Sequence, residues 1–293
     1  MISDETTIIH ISDLHIDGLG PNRQMSTQGW QAMADALRRL HPDLVVVTGD
    51  LTTHGSCHIE HLYQAREFLD SIGVDYLVIP GNHDLSPSAD VRADECYENV
   101  PWKHTRFCQV FSQSPTVART LGPVSVIGLA LREGDPDGAL TGLQSALAAA
   151  SGPVLVFGHY PLRTVRTQGV LSAFGWTQYI PGTLPEFRRI LKSTPQVRLY
   201  GCGHVHAASV MAITPSLAQI SAGGLGPGPS QFWLYKITSA ELAFFSMLAQ
   251  GPPLFWNGEN LAGADPCLYN WGEIRTGRIA LTPSHSASLS VPH

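Results

Sequence analysis

Five times in this sequence a short apolar run breaks off at a small residue and then presents an aspartate, asparagine or histidine. Thr7–Ile11 runs into Ser12-Asp13-Leu14-His15, Leu44–Thr48 into Gly49-Asp50, and Tyr76–Ile79 into Pro80-Gly81-Asn82-His83-Asp84. Val154–Phe157 runs into Gly158-His159, and Val197–Tyr200 into Gly201-Cys202-Gly203-His204-Val205-His206. Unbroken β-branched runs of this kind fit strands buried on both faces, the pattern of a parallel sheet. Loops beyond the carboxyl ends of such strands line one crevice, so five distant segments are brought to one place. A lone strand-end Asp or His is commonly a cap or a turn residue. The repetition in this order is what argues for a shared site.

Helical patterns separate the first three runs. Gly29–Leu40 repeats apolar residues through Trp30, Met33, Ala34, Leu37 and Leu40, and Ile59–Ile72 reads as a second helix. Strand, helix, strand, helix, strand at this pitch is a βαβαβ unit, hence an α/β fold with helices on the sheet faces. Residues 86–122 break the rhythm with Pro87, Pro101 and Pro115 and the aromatics Tyr97, Trp102, Phe107 and Phe111. They read as an insert that partly lids the site. Val124–Leu129 then reads as a strand, with Leu140–Ala150 and Leu184–Leu191 as helices. Ser209–Ile213, Ala218–Ser221, Phe232–Ile237 and Leu242–Met247 follow as strands without helices between them, which predicts a second, more antiparallel sheet. Residues 1–250 are expected to form one domain, and the Gly-, Pro-, Asn- and Trp-bearing residues 251–293 an irregular extension.

The residues at the strand ends suit metal chemistry. Imidazoles from His15, His159, His204 and His206 fit zinc or iron, and oxygens from Asp13, Asp50 and Asn82 fit manganese or magnesium. Glycines at 49, 81, 158, 201 and 203 stand where the backbone must turn sharply close to such a centre. His10, inside the first strand, reads as a core histidine or one standing behind a ligand.

The phrases ISDLHI, VVVTGDLT, VIPGNHD, GHYPL and GCGHVH resemble those of the calcineurin-like metallophosphoesterase family. Their wording is most similar to bacterial class III cyclic-nucleotide phosphodiesterases and glycerophosphodiesterases. The resemblance spans about Thr7 to Met247 and implies a four-layer αββα sandwich of two mixed sheets flanked by helices. It implies that Asp13, His15, Asp50 and His206 hold one metal, and that Asp50 bridges to a second held by Asn82, His159 and His204. The cofactors would be two divalent or mixed-valence ions, manganese, iron or zinc. The implied reaction is hydrolysis of a phosphate ester, foremost a small phosphodiester, by a metal-bridging hydroxide. His83 would face the substrate and assist the leaving group rather than bind metal, with Asp84 orienting it or simply stabilising the turn. A phosphomonoesterase or a nucleotide-linked pyrophosphate hydrolase could use the same site. A non-catalytic scaffold fits poorly, because every ligand type is present. Dimers are frequent among the resembling enzymes, so a homodimer or higher homo-oligomer is expected.

Composition narrows the partners. The net charge is −6 and there is no Lys/Arg-rich run, which argues against duplex nucleic acid as a partner. A small phosphate ester remains compatible, because metals supply positive charge locally. No run approaches a membrane span and no secretory signal is apparent. The five cysteines, at 57, 96, 108, 202 and 267, are odd in number and irregular in spacing, so free thiols and a cytoplasmic location are expected. Substrate contacts are sought at His54, His58, Tyr97 and His104, and the leaving-group pocket in the variable segments 86–122, 165–182 and 251–270.

Overall fold

The computed structural model describes residues 5–16, 27–85, 100–163, 183–206, 208–225, 231–248, 274–282 and 289–290. Tyr97 and the segments 165–182 and 251–270 lie outside them. The first half of the chain builds strands β1 (Thr6–Ile11), β2 (Leu44–Thr48) and β3 (Tyr76–Ile79), with helices α1 (Thr27–Arg38) and α2 (Ile59–Ile72) between them. The second half contributes helices α3 (Arg106–Phe111), α4 (Ala139–Ala149) and α5 (Leu184–Ser193). Its strands are β4 (Thr116–Leu121), β5 (Val124–Leu129), β6 (Val154–Gly158), β7 (Val197–Cys202), β8 (Ser209–Ala212) and β9 (Ala218–Ser221). Four more follow as β10 (Gln231–Ile237), β11 (Glu241–Leu248), β12 (Thr276–Ala280) and β13 (Leu289–Ser290).

Two mixed sheets result. The first has the order β13-β12-β11-β10-β1-β2-β3, the second β4-β5-β6-β7-β9-β8. β1, β2 and β3 are parallel to one another, as are β5, β6 and β7, while β10 runs antiparallel to β1. The period-2 alternation of strand side chains sorts the core into three apolar layers. In the first sheet Ile9, Ile11, Val45, Val47 and Val78 face out and pack under Met33 and Leu37 of α1 and Leu62, Phe68 and Leu69 of α2. Ile8, Val46, Leu77 and Ile79 face inward and meet Val126, Leu155, Phe157 and Leu199 of the second sheet. The outer face of that sheet, with Val154, Val156 and Tyr200, is covered by Leu143 and Leu147 of α4 and by Phe187 and Ile190 of α5. Four layers, αββα, therefore enclose both sheets. Each fully buried Ile, Leu or Val contributes about 1.5–3 kcal/mol, and such residues make the strands read as continuous apolar runs.

Three expectations need correction. β10 and β11 do not join a separate antiparallel sheet; they extend the first sheet beside β1. The period-2 pattern shows that a segment is a strand but carries no record of which edge it joins. The C-terminal extension is not irregular throughout, because β12 pairs with β11 and with β13. Its strand is pinned to the second sheet by the buried Arg198, whose guanidinium donates to the carbonyls of Ala280 at 3.0 Å and Thr282 at 2.8 Å. The insert is also not simply a lid: β4 is the edge strand beside β5, and Trp102 and Phe107 are buried in the core that also holds α2.

Cys57 is disulfide-bonded, to a partner outside the described residues, whereas Cys108 and Cys202 are free. Pairing depends on Cα separation in space, which irregular sequence spacing does not report. Cysteine usage therefore gives no argument for a reducing compartment. Among the described residues no helix is long and apolar enough to cross a membrane.

Gly201 on β7 sits where Phe157 of its own sheet and His10 of the first sheet close in. A Cβ on Gly201 would stand 2.4 Å from Cδ1 of Phe157 and 3.1 Å from Cε1 of His10. Gly201→Ala is expected to cost about 1–3 kcal/mol by overpacking, read as a lower urea midpoint. An unchanged midpoint would mean that the Phe157 ring gives way here at little cost.

Candidate metal centre

The loops after β1, β2, β3, β6 and β7 meet at one end of the sandwich. Backbone hydrogen bonds set their relative height: Asp13 N donates to the Gly49 carbonyl at 2.9 Å, His15 N to the Asp50 carbonyl at 3.0 Å, and Gly203 N to the His159 carbonyl at 3.0 Å. The two sheets are joined across the site by Asp13, whose carboxylate oxygens each accept from His204 N at 3.1 Å. A Cβ on Gly203 would fall 2.6 Å from Asp13 Oδ2, and one on Gly81 2.1 Å from Asp50 Oδ1. Only glycine lets these backbones approach the carboxylates.

Asp13, His15, Asp50, His204 and His206 share an unusual backbone. Their φ angles are 53°, 44°, 48°, 70° and 51°, all in the left-handed region that costs a non-glycine residue about 1–2 kcal/mol. Side chains of consecutive extended residues would alternate in direction. Alternation already puts i and i+2 residues on one face, and the left-handed turns at these positions carry Asp13 with His15, and His204 with His206, on to the same centre.

Seven side chains converge. Donor atoms of Asp13, His15, Asp50 and His206 lie within 4.8 Å of one another, as do those of Asp50, His159 and His204. In the first group the Nε2 atoms of His15 and His206 are 3.2 Å apart, and His206 Nε2 is 3.2 Å from Asp13 Oδ1. In the second, His159 Nε2 is 3.1 Å from His204 Nδ1, 3.0 Å from Asn82 Oδ1 and 3.4 Å from Asp50 Oδ2. Thus Asn82 belongs with the second group and Asp50 with both.

Tautomer logic tests the fit to a cation. His159 Nδ1 lies 2.7 Å from the Thr48 carbonyl, so it carries the proton that it donates there. In the neutral ring Nε2 is then a lone pair facing an amide oxygen and a carboxylate oxygen. Acceptors crowded at this distance repel unless a positive charge sits among them. Donors about 2.0–2.2 Å from a common ion lie roughly 3–3.5 Å apart, which matches the spacing seen here. In the titration behaviour a proton on His159 answers the same demand for positive charge. Burial lowers the His159 pKa, but Asp50 beside it overrides this and raises it to about 9. Burial would lift Asp50, yet His159, His83 and His15 hold it well below the usual carboxylate range. His15 and His204 are pushed down to about 4 and about 3, foremost by burial, which favours their neutral rings. The donor set fits two divalent ions sharing Asp50.

His83 is held at the rim. Its N–H donates to Asp50 Oδ1 at 3.0 Å, its Nδ1 is 2.9 Å from the Thr53 carbonyl, and its ring centre is 5.1 Å from that of His15. Donating Nδ1–H to Thr53 leaves Nε2 for chemistry. Of the two expectations for Asp84, its hydrogen bonds fit the stabilised turn and not the orientation of His83. Asp84 Oδ1 accepts from Thr52 N at 3.0 Å and Thr52 Oγ1 at 2.8 Å, and Oδ2 from Leu51 N and Gly81 N, each at 3.0 Å. Burial and the nearby Asp50 raise its pKa to about 7. Asp84 is a buried staple between two loops, and the Thr53 carbonyl orients His83 in its place. Main-chain carbonyls such as Thr48 and Thr53 leave no mark in residue types, so sequence reading had no signal for them.

The candidates for substrate contact are scattered. His54 lies 6.4 Å from His61, ring to ring, and His58 lies 5.1 Å from His61 and 3.4 Å from Glu60. Ser56 N donates to the His83 carbonyl at 3.1 Å, which ties this loop to the rim. His104 is exposed in a short 3₁₀ turn, Trp102–His104.

Known proteins resemble this chain. The family model for calcineurin-like phosphoesterases matches residues 6–208. A protein of Synechococcus named a probable cyclic nucleotide phosphodiesterase is 28% identical over 219 residues, covering 70% of this chain and 74% of that one. A probable glycerophosphodiester phosphodiesterase of Arcobacter nitrofigilis is 30% identical over 82 residues, 26% of this chain and 29% of its own. Among solved structures, a dimetal phosphatase from Danio rerio superposes with a TM-score of 0.60 at 15% identity, covering 84% of this chain and 96% of that one. At that identity the likeness speaks for the fold alone.

Two substitutions separate strain from support. In chelator, His204→Gly should be more stable to urea than His204→Ala by about 0.5–1 kcal/mol, because relief at φ 70° outweighs the added chain entropy. The ordinary order, alanine above glycine, would show that this backbone carries no strain. Asp84→Ala strands the backbone N–H groups of Leu51, Thr52 and Gly81, and should cost about 3 kcal/mol or more. A stability near wild type would rule out the staple.

Proposed function

Starting from a chain that belongs to the calcineurin-like phosphoesterase family, we propose that it hydrolyses a small phosphodiester of the cyclic-nucleotide or glycerophosphodiester type at a dinuclear metal centre. The observation that carries this is the pair of donor groups joined through Asp50, with His83 beside them. Asp13, His15, Asp50 and His206 would hold one ion, and Asp50, Asn82, His159 and His204 the other. Bound there, two divalent ions supply Lewis acidity toward phosphoryl oxygens and a water acidified to near-neutral pKa. The identity of the metals follows availability as much as this mixed N/O donor set.

The chain's own groups supply the rest. Asp50 draws both ligand groups to one point, and its second oxygen holds the His83 backbone. The Thr53 carbonyl holds one proton on His83 Nδ1, and in the imidazolium form the second proton, on Nε2, can be given to the oxygen that leaves phosphorus. Such general-acid help contributes about 10²–10⁴-fold. A preference for diesters is supported by the name of the Synechococcus relative, which spans most of both chains. The acidic balance of the chain, −6 overall, supports a small substrate over duplex nucleic acid.

The test is hydrolysis of bis-p-nitrophenyl phosphate against p-nitrophenyl phosphate, with manganese, iron, zinc or cobalt supplied. Faster turnover of the diester is expected. Faster turnover of the monoester would move the reading to a phosphomonoesterase, and no turnover of either would sink the enzyme reading. Asp50→Ala should lose both ions and nearly all activity. His83→Ala should keep both ions and lose about 10²-fold or more on esters with poor leaving groups. If metal analysis of His83→Ala found one ion missing, its role as a non-ligand would be wrong.

A further inference from the structure

The inner face of β1 carries Thr6, Ile8 and His10, and of these His10 is fully buried between the two sheets. Its ring meets Phe157 of the second sheet edge-on at 5.4 Å. A buried imidazole in an apolar layer needs partners for both nitrogens. It has them: Nδ1 is 2.8 Å from the Tyr235 hydroxyl on β10, and Nε2 is 2.9 Å from Thr48 Oγ1 on β2. Burial pushes its pKa down to about 3, so the ring is neutral and has one N–H.

One arrangement of protons satisfies every donor in this chain of contacts. Tyr235 keeps its proton, burial having raised its pKa well above the usual value, and donates it to His10 Nδ1. His10 Nε2–H then donates to Thr48 Oγ1, and the Thr48 hydroxyl donates onward to the Ile11 carbonyl at 3.4 Å. With the opposite order the Tyr235 proton would have no acceptor among these groups. Thr48 is the last residue of β2, and its own carbonyl accepts from His159 Nδ1 at 2.7 Å and from Ser12 Oγ at 3.1 Å. Its side chain is thus fixed from one side and its carbonyl fixes a ligand on the other.

We propose that His10 is a positioning residue: with Tyr235 it locks Thr48, whose carbonyl holds the His159 tautomer and aims His159 Nε2 at the second metal position. The idea rests on the dinuclear reading above and adds an asymmetry to it. The relay ends on His159 alone of the four imidazoles in the donor set, so it acts on the ion held by Asp50, Asn82, His159 and His204. The ion held by Asp13, His15, Asp50 and His206 keeps its own supports. A histidine serving only to fill the core would affect both ions equally, through stability.

Metal-depleted full-length protein titrated with Co²⁺, followed by calorimetry and by the cobalt absorption bands, tests this. His15→Ala and Asn82→Ala mark which step belongs to which group. His10→Leu and the isosteric Thr48→Val should weaken the second-group step about 10–100-fold while shifting the first less than about threefold. His10→Gln, which keeps a donor at the Nε2 position, should recover most of the loss. Equal weakening of both steps, or none, overturns the proposal. If His10→Leu does not fold, Thr48→Val alone decides between these outcomes. A wild-type protein that binds fewer than two Co²⁺ would instead overturn the dinuclear reading, whatever the variants do.

Discussion

Two buried carboxylates, Asp13 and Asp50, govern the working end of this molecule. Neither is solvated, and an unpaired carboxylate removed from water costs several kcal/mol. Everything around them answers that cost. Backbone N–H groups of His204 and His83 donate to them, imidazoles crowd about them, and glycines 81 and 203 clear the space for the approach. Because Asp13 follows the first sheet and His204 the second, the same electrostatics ties the two sheets together at this end.

The charge requirement also explains the backbone. Five of the residues in the donor set adopt left-handed φ, a conformation the surrounding sheets must enforce. Rigid strands buried on both faces provide the anchor, and the short loops carry the strain. The staple through Asp84 serves this rigidity, since it grips the β2 and β3 loops together using only main-chain donors and Thr52. Neighbouring carboxylates of the same type thus do opposite work. Asp50 stays ionised amid histidines, whereas Asp84 is driven toward neutrality by burial and by Asp50 itself.

The βαβαβ start and the five strand ends were legible because local periodicity and residue type report them directly. α2 spans Ile59–Ile72 as its apolar spacing predicts, and all seven donor residues converge as their order along the chain implies. The placement of β10 and β11 was not legible, because alternation fixes a strand's faces and not its neighbour. Nor was the partnership of β12 with β11, since Thr276–Ala280 sits in a stretch whose composition reads as irregular. The aromatics Trp102 and Phe107 looked like a lid and proved to be core, a distinction that burial alone makes.

By itself, then, the sequence determined the chemistry on offer: which residues could bind metal, and that they follow strands. Covalent identity and local propensity decide those matters, and both are written residue by residue. The tertiary structure decided how the atoms are used. Whether His159 offers Nδ1 or Nε2, whether Asp84 meets His83 or a row of amides, and whether Cys57 is a thiol or half of a disulfide all depend on neighbours distant in the chain. Main-chain carbonyls at Thr48 and Thr53 settle the first two, and a carbonyl is common to every residue. Only the folded geometry singles it out.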